Sequence, residues 1–225
     1  MNSKTKLKLK PMIDILMTFA LLLLISYELL GSTAHEVVGV VMFVLFVVHH
    51  ALNINWAMHL AKGRQTSIRI FQNILVLLVL ILFVGSIVSG VVVSRYLFTF
   101  LNIKSTYMAN RIHMLSAYWG FVFMSLHLGL HFDMIYLMIK KKKQLSPKVK
   151  IAFQIILTLI FAYGIYAFFK RDIASYLFLK NQFFLLGDNE HLPLYIFDYM
   201  SIMFSFATLS HFVSSRLKSN TKSGS

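Results

Sequence analysis

The feature that most limits what this chain can become is its run of long apolar stretches, each about as long as a bilayer is thick. About 20 consecutive apolar residues make a helix that crosses the hydrocarbon core. Six such segments are read at 12–32, 35–60, 70–95, 112–138, 150–169 and 195–215. With 58% hydrophobic and only 13% charged residues, the 225-residue chain has too little polar surface for water, and lipid is the expected solvent. The expected fold is all-α: a polytopic membrane bundle of six transmembrane helices. It is read as one domain, with the first four spans in residues 1–140 and the last two, with an outer interfacial segment, in 141–225. The sixth segment is the least apolar, carrying several serines with Asp198 and His211.

The net charge of +14 is not the signature of a nucleic-acid binder, because the basic residues gather between the apolar stretches. With the N-terminus inside, the inner face receives Lys4, Lys6, Lys8, Lys10, Lys62, Arg64, Arg69, Lys140 to Lys143, Lys148, Lys150, Arg216, Lys218 and Lys222. The outer face receives Arg95, Lys104, Arg111, Lys170, Arg171 and Lys180. The positive-inside rule then predicts a multi-pass protein with both termini cytoplasmic. The first apolar stretch is too long for a signal-peptide core and has no small-residue cleavage site, so no secretory signal is read. Residues 172–194 mix aromatic, apolar and charged side chains, which predicts a short helix in the outer interface, a candidate lid. The Lys- and Ser-rich ends, 1–10 and 216–225, read as solvated tails.

Cysteine is absent, which excludes disulfides, thiolate metal sites and iron–sulfur clusters. Metal or cofactor ligation would fall to the nine histidines, the twelve methionines or oxygen donors. Four histidines form a pattern. His35 and His49 are fourteen residues apart in the second segment, and His113 and His127 are fourteen apart in the fourth. At about 100° and 1.5 Å per residue, fourteen steps return a side chain to within about 40° of its direction, about 21 Å along the axis. Both segments run from outside to inside, so His35 pairs in depth with His113, and His49 with His127. Two imidazoles on opposite sides of a macrocycle are a common way to hold heme iron. Two hemes at that spacing would carry electrons across the bilayer, so the expected core is a four-helix, heme-binding one, with 1–140 an N-terminal bis-histidine, cytochrome-like bundle. The competing reading is a set of interhelical hydrogen bonds made by neutral imidazoles.

Other residues take supporting roles. Gly39 and Gly120 would let a flat ring approach the backbone, or would serve ordinary small-residue helix packing. Arg95 and Arg111 would pair with the propionates of an outer heme, or snorkel at the interface. His50 is an alternative to His49, and His131, one turn after His127, would ligate or meet a propionate. His59, His191 and His211 are read as interfacial or structural.

Three runs resemble a known family. HEVVGVVMFVLFVVHHALNINW at 35–56, SGVVVSRYLFTFL at 89–101 and HMLSAYWGFVFMSLHLGLHFDMI at 113–135 are similar to the two signatures and the linker of the flavinylation-associated cytochromes, a bacterial membrane family. The resemblance covers roughly 35–140 well and 172–215 more loosely. It implies a layout like the membrane cytochromes b and ferric reductases, with two b-type hemes on His35, His49, His113 and His127. It also implies electron transfer between the cytoplasmic side and an extracytoplasmic protein carrying covalent FMN; for such a subunit the expected electron source is quinol or a cytoplasmic dehydrogenase. The chain has no flavin-attachment motif and no nucleotide-binding Gly-rich loop, so flavin or NAD(P)H chemistry would belong to a partner. The expected role is an electron-transfer subunit of an oxidoreductase system rather than a stand-alone enzyme. The alternatives are a histidine-using metal-ion transporter or permease, and a cofactor-free accessory subunit.

Overall fold

The computed structural model describes residues 3–60, 62, 65–132, 146–181 and 190–223. It is 86% helical and has no strand among the described residues. Among the described residues seven helices follow in order: α1 (Ser3–Ile25), α2 (Tyr27–Met58), α3 (Ser67–Val93), α4 (Tyr107–Gly129), α5 (Pro147–Lys170), α6 (Ile173–Leu177) and α7 (Leu192–Ser223). One 3-10 turn, Thr99–Leu101, lies between α3 and α4. By length and composition α2, α3, α5 and α7 are apolar enough to cross a membrane.

Local chemistry sets where the helices start and stop. Thr106 caps α4 by accepting the Ala109 N–H on its hydroxyl, 3.1 Å away. Ser146 does the same for α5 through the Val149 N–H, with Pro147 in the first turn, where its missing N–H costs nothing. The first reversal lies earlier than hydropathy places it. α1 ends at Ile25, Ser26 donates its hydroxyl back to the Leu22 carbonyl, and Gly31 takes a left-handed φ of 77°. The run LLLLISYELLG is apolar apart from Ser26 and Glu28, so hydropathy does not mark a sharp boundary there, whereas Gly31 adopts that conformation without steric cost.

The helices pack as neighbouring pairs: α1 on α2, α3 on α4 and α5 on α7, with α4 also against α7. α2 leans on α1 and is not among the close neighbours of α4. One apolar core gathers Tyr118, Phe121 and Val122 of α4, Ile173 and Leu177 of α6, and Tyr195, Tyr199 and Ile202 of α7. A second joins Ile13 and Met17 of α1 to Met42 of α2, with Phe83 of α3 and Met124 of α4 against them.

α7, the helix with the weakest apolar signal, is the most enclosed of the four: 44% of its apolar window is buried, against 6–11% in the other three. Its serines and Ala207 form a narrow spine that lets neighbouring backbones approach. Gly129 lies against the Ala207 carbonyl, Gly164 lies against the Ser201 carbonyl, and Ser205 donates a hydrogen bond to Phe161 of α5 at 2.9 Å. The short helix expected in the outer stretch is present as α6, but it is not laid on a surface. Ile173, Tyr176 and Leu177 are buried against the core. Residues 182–189 of that stretch, the end of the fourth segment at 133–138, and the basic run Lys140 to Lys143 lie outside the described residues. The ends read as solvated tails belong to helices: α1 begins at Ser3 and α7 continues to Ser223.

Candidate functional site

His35, on the first full turns of α2 after Gly31, and His113, near the start of α4, meet across the space between those helices. Their ring centroids are 6.0 Å apart with an interplanar angle of 77°. Each ring is oriented by a backbone carbonyl. His35 donates Nδ1–H to Leu24 at the end of α1, 3.0 Å away, and His113 donates Nδ1–H to Ser86 of α3, also at 3.0 Å. A carbonyl only accepts, so both neutral rings carry their proton on Nδ1 and keep the lone pair on Nε2. Neither Nε2 has a hydrogen-bond partner among the described residues.

The walls around this pair come from four helices. The Tyr27 ring stands edge-on to His35 at 5.2 Å. Ser89, buried in α3, accepts a longer second hydrogen bond from His113 Nδ1 at 3.2 Å and donates its own proton to the Gly85 carbonyl. Gly90 is pressed against the ring: a Cβ there would lie 3.2 Å from His113 Cε1. Sequence reading does not single out Gly90. Its signal was the small-residue run GSIVSG, which places residues 85 and 89–90 about one turn apart on α3. Gly39 and Gly120 have ordinary surroundings, since a Cβ at either would rest 3.9 Å from Leu24 Cδ2 or Leu82 Cβ.

Arg95 and Arg111 lie near this level. The Arg95 side chain is exposed, and its backbone N–H, with those of Tyr96 and Leu97, donates to the Glu36 carboxylate at 2.7–3.2 Å. Ser94 donates its hydroxyl to the same carboxylate at 2.8 Å. Glu36, the residue after His35, thereby ties the α3–α4 connection to α2. Arg111 donates to the Tyr107 hydroxyl at 3.2 Å and stands over that ring.

The second level is built differently. His49 donates Nδ1–H to Asp14 Oδ1 of α1 at 2.8 Å, so an acidic side chain holds this imidazole. His50 donates instead to the Phe46 carbonyl on its own helix at 3.0 Å and packs on the Phe46 ring. His127 shares its electrostatic surroundings with His131, His49, Asp14 and His50. Its Nε2 is 3.4 Å from Nε2 of His131, and its buried Nδ1 has no hydrogen-bond partner among the described residues. His49 and His127 make no ring-to-ring contact there. Between the two levels Met42, Phe83 and Met124 form part of one apolar layer. Away from both, His59 donates to the Asn55 carbonyl on an exposed turn, His191 is exposed, and the His211 ring lies 5.8 Å from Phe132.

A second polar group joins residues that are far apart in the sequence. Asp198 of α7, 1% exposed, accepts from Tyr163 at 2.5 Å, Lys170 at 2.9 Å and Arg171 at 2.6–2.7 Å. Arg171 also pairs with Glu190 and lies over the Tyr195 ring. An acid in an apolar helix requires a partner, and that rule was the available signal. This group ties the end of α5 to the start of α7.

An imidazole nitrogen binds a transition metal at about 2 Å, so two rings on opposite sides of one ion have centroids about 6 Å apart. The His35–His113 level meets that test in separation, in tautomer and in the carbonyl support behind each ring. The His49–His127 level has the donor set and an orphaned buried nitrogen, without a closed ring pair. Among the described residues no group of three or more His, Cys, Asp or Glu is placed to hold a metal ion. No protein-family model, curated protein or solved structure matches the chain.

Proposed function

We propose that this chain is a diheme, b-type cytochrome-like subunit that carries electrons across the bacterial cytoplasmic membrane. Six spans, with α1 and α4 joining the four most apolar helices, put both termini in the cytoplasm. The distribution of basic residues supports that orientation. The observation that carries the proposal is the His35–His113 pair: two neutral imidazoles on different helices, 6.0 Å apart, each with Nδ1 spent on a carbonyl and Nε2 left as donor.

In this reading His35 and His113 hold the outer heme, and His49 and His127 the inner one. Bound there, heme b supplies one-electron carriage. The chain's own residues do the rest. Leu24 and Ser86 fix the ring tautomers of the outer pair, and Asp14 fixes that of His49. Gly90 leaves room beside His113, and the layer of Met42, Phe83 and Met124 keeps water from between the levels. Arg95 and Arg111 are proposed to meet the outer propionates. The donor would be quinol or a cytoplasmic dehydrogenase; the acceptor would be an extracytoplasmic flavoprotein, as the family resemblance implies.

Two imidazoles at one level suit an ion whose four equatorial positions are filled by a macrocycle. A bare divalent cation handled by a permease wants three or four convergent donors, which the described residues do not offer. The test is a reduced-minus-oxidised absorption spectrum of the purified protein with heme quantified against polypeptide. Sharp α and Soret bands at close to two hemes per chain are expected. A colourless protein from heme-replete cells ends the proposal.

A further inference from the structure

The two histidine levels differ in what stands behind the ligating ring. At the His35–His113 level both Nδ1–H groups end on neutral backbone carbonyls. At the other level His49 ends on the Asp14 carboxylate, 35 residues away in sequence and on a different helix. Asp14 lies inside an apolar run of α1, where an acidic side chain is costly and needs a specific partner. It sits eleven residues before Ile25, the end of α1, while Leu24, which orients His35, is at that end. One helix therefore supplies the support for both His35 and His49 of α2, a carbonyl to the first and a carboxylate to the second.

We propose that Asp14 is a positioning residue that makes the His49 level the lower-potential of the two. The inference rests on the heme reading above. An imidazole that donates to a carboxylate is a stronger base toward its metal than one that donates to a carbonyl. A stronger axial donor favours the oxidised, more highly charged ion over the reduced one, which lowers the reduction potential. The Asp14 side chain is about half exposed, so the effect runs through the 2.8 Å hydrogen bond rather than through a buried field. No bond is made or broken: the two levels differ only in their affinity for one electron. In the proposed orientation, that ordering favours passage from the cytoplasmic side outward.

Potentiometric titration of the purified holoprotein, followed in the α band, tests this without any measure of turnover. Two one-electron components are expected in the wild type, and His127→Ala should abolish the lower one. Asp14→Asn keeps an acceptor of the same shape and removes the charge. It should raise that component by about 59 mV, a tenfold change in its oxidised-to-reduced ratio, and leave the other in place. Asp14→Glu, which restores the carboxylate, should sit closer to the wild type. The inference is overturned if His127→Ala removes the higher component, or if Asp14→Asn moves neither. The wild-type ordering decides it even where the Asn variant does not assemble. Absence of heme from the wild type would sink the reading and the inference together, whereas two hemes with unshifted potentials would sink the inference alone.

Discussion

Gly90 of α3 and His113 of α4 are in such close register that a single added carbon at position 90 would lie 3.2 Å from Cε1 and 3.4 Å from Nδ1 of the imidazole. That spacing is tighter than ordinary van der Waals contact. Gly90→Val should therefore turn the ring away from the Ser86 carbonyl and remove about half of the heme absorbance. The far-UV circular dichroism should stay that of a helical protein. Gly120→Ala, whose Cβ has 3.9 Å to Leu82, is the matched control and should leave the spectrum unchanged.

The 6.0 Å pairing of His35 with His113 predicts that two distant substitutions have one spectral consequence. His35→Ala and His113→Ala should each delete the same absorbance component, and the double variant should delete no more. If the two single variants removed different components, the pairing across α2 and α4 would be wrong.

Gly129 and Gly164 face the Ala207 and Ser201 carbonyls at distances that leave no room for a side chain. Gly129→Leu would force α4 off α7, and overpacking of this kind costs about 1–3 kcal/mol or more. The expected readout is a lower midpoint of thermal unfolding in detergent. A substitution to the same residue on the exposed face of α5, Ala162→Leu, should not lower it.

Asp198 and Arg171 are both buried, so removing either leaves the other short of its main partner, with Lys170 or Glu190 still in contact. Asp198→Asn and Arg171→Met should each destabilise by about 3–5 kcal/mol, while the double variant costs less than the sum. Helix melting of the four proteins in detergent gives the coupling directly. An additive cycle would mean that the contact contributes nothing.

The helical character of this chain could be read before any coordinates, because apolar length and charge placement act locally. Long runs of Leu, Val, Ile and Phe must satisfy their backbone within the helix if lipid surrounds them. Helix ends were less legible, and α1 and α2 show why. Their reversal depends on a serine bonded back to its own helix and one glycine with positive φ, set in sequence that is mostly apolar. For α7 the expected span is present, and its composition has a packing reason. Its serines look like a weak apolar signal, but they are the small residues that let Gly129 and Gly164 approach.

The same division holds at the candidate site. Fourteen-residue spacing put His35 and His49 on one face of a helix, and His113 and His127 on one face of another, because helix geometry alone fixes direction along a segment. Nothing in that spacing says what lies opposite. The Leu24 and Ser86 carbonyls, the Asp14 carboxylate, the pressure of Gly90 on His113 and the 3.4 Å approach of His131 to His127 all come from other turns or other helices. They depend on how far each helix is rotated and shifted against its neighbour, and that is settled by the packing of the whole bundle rather than by any one stretch of sequence.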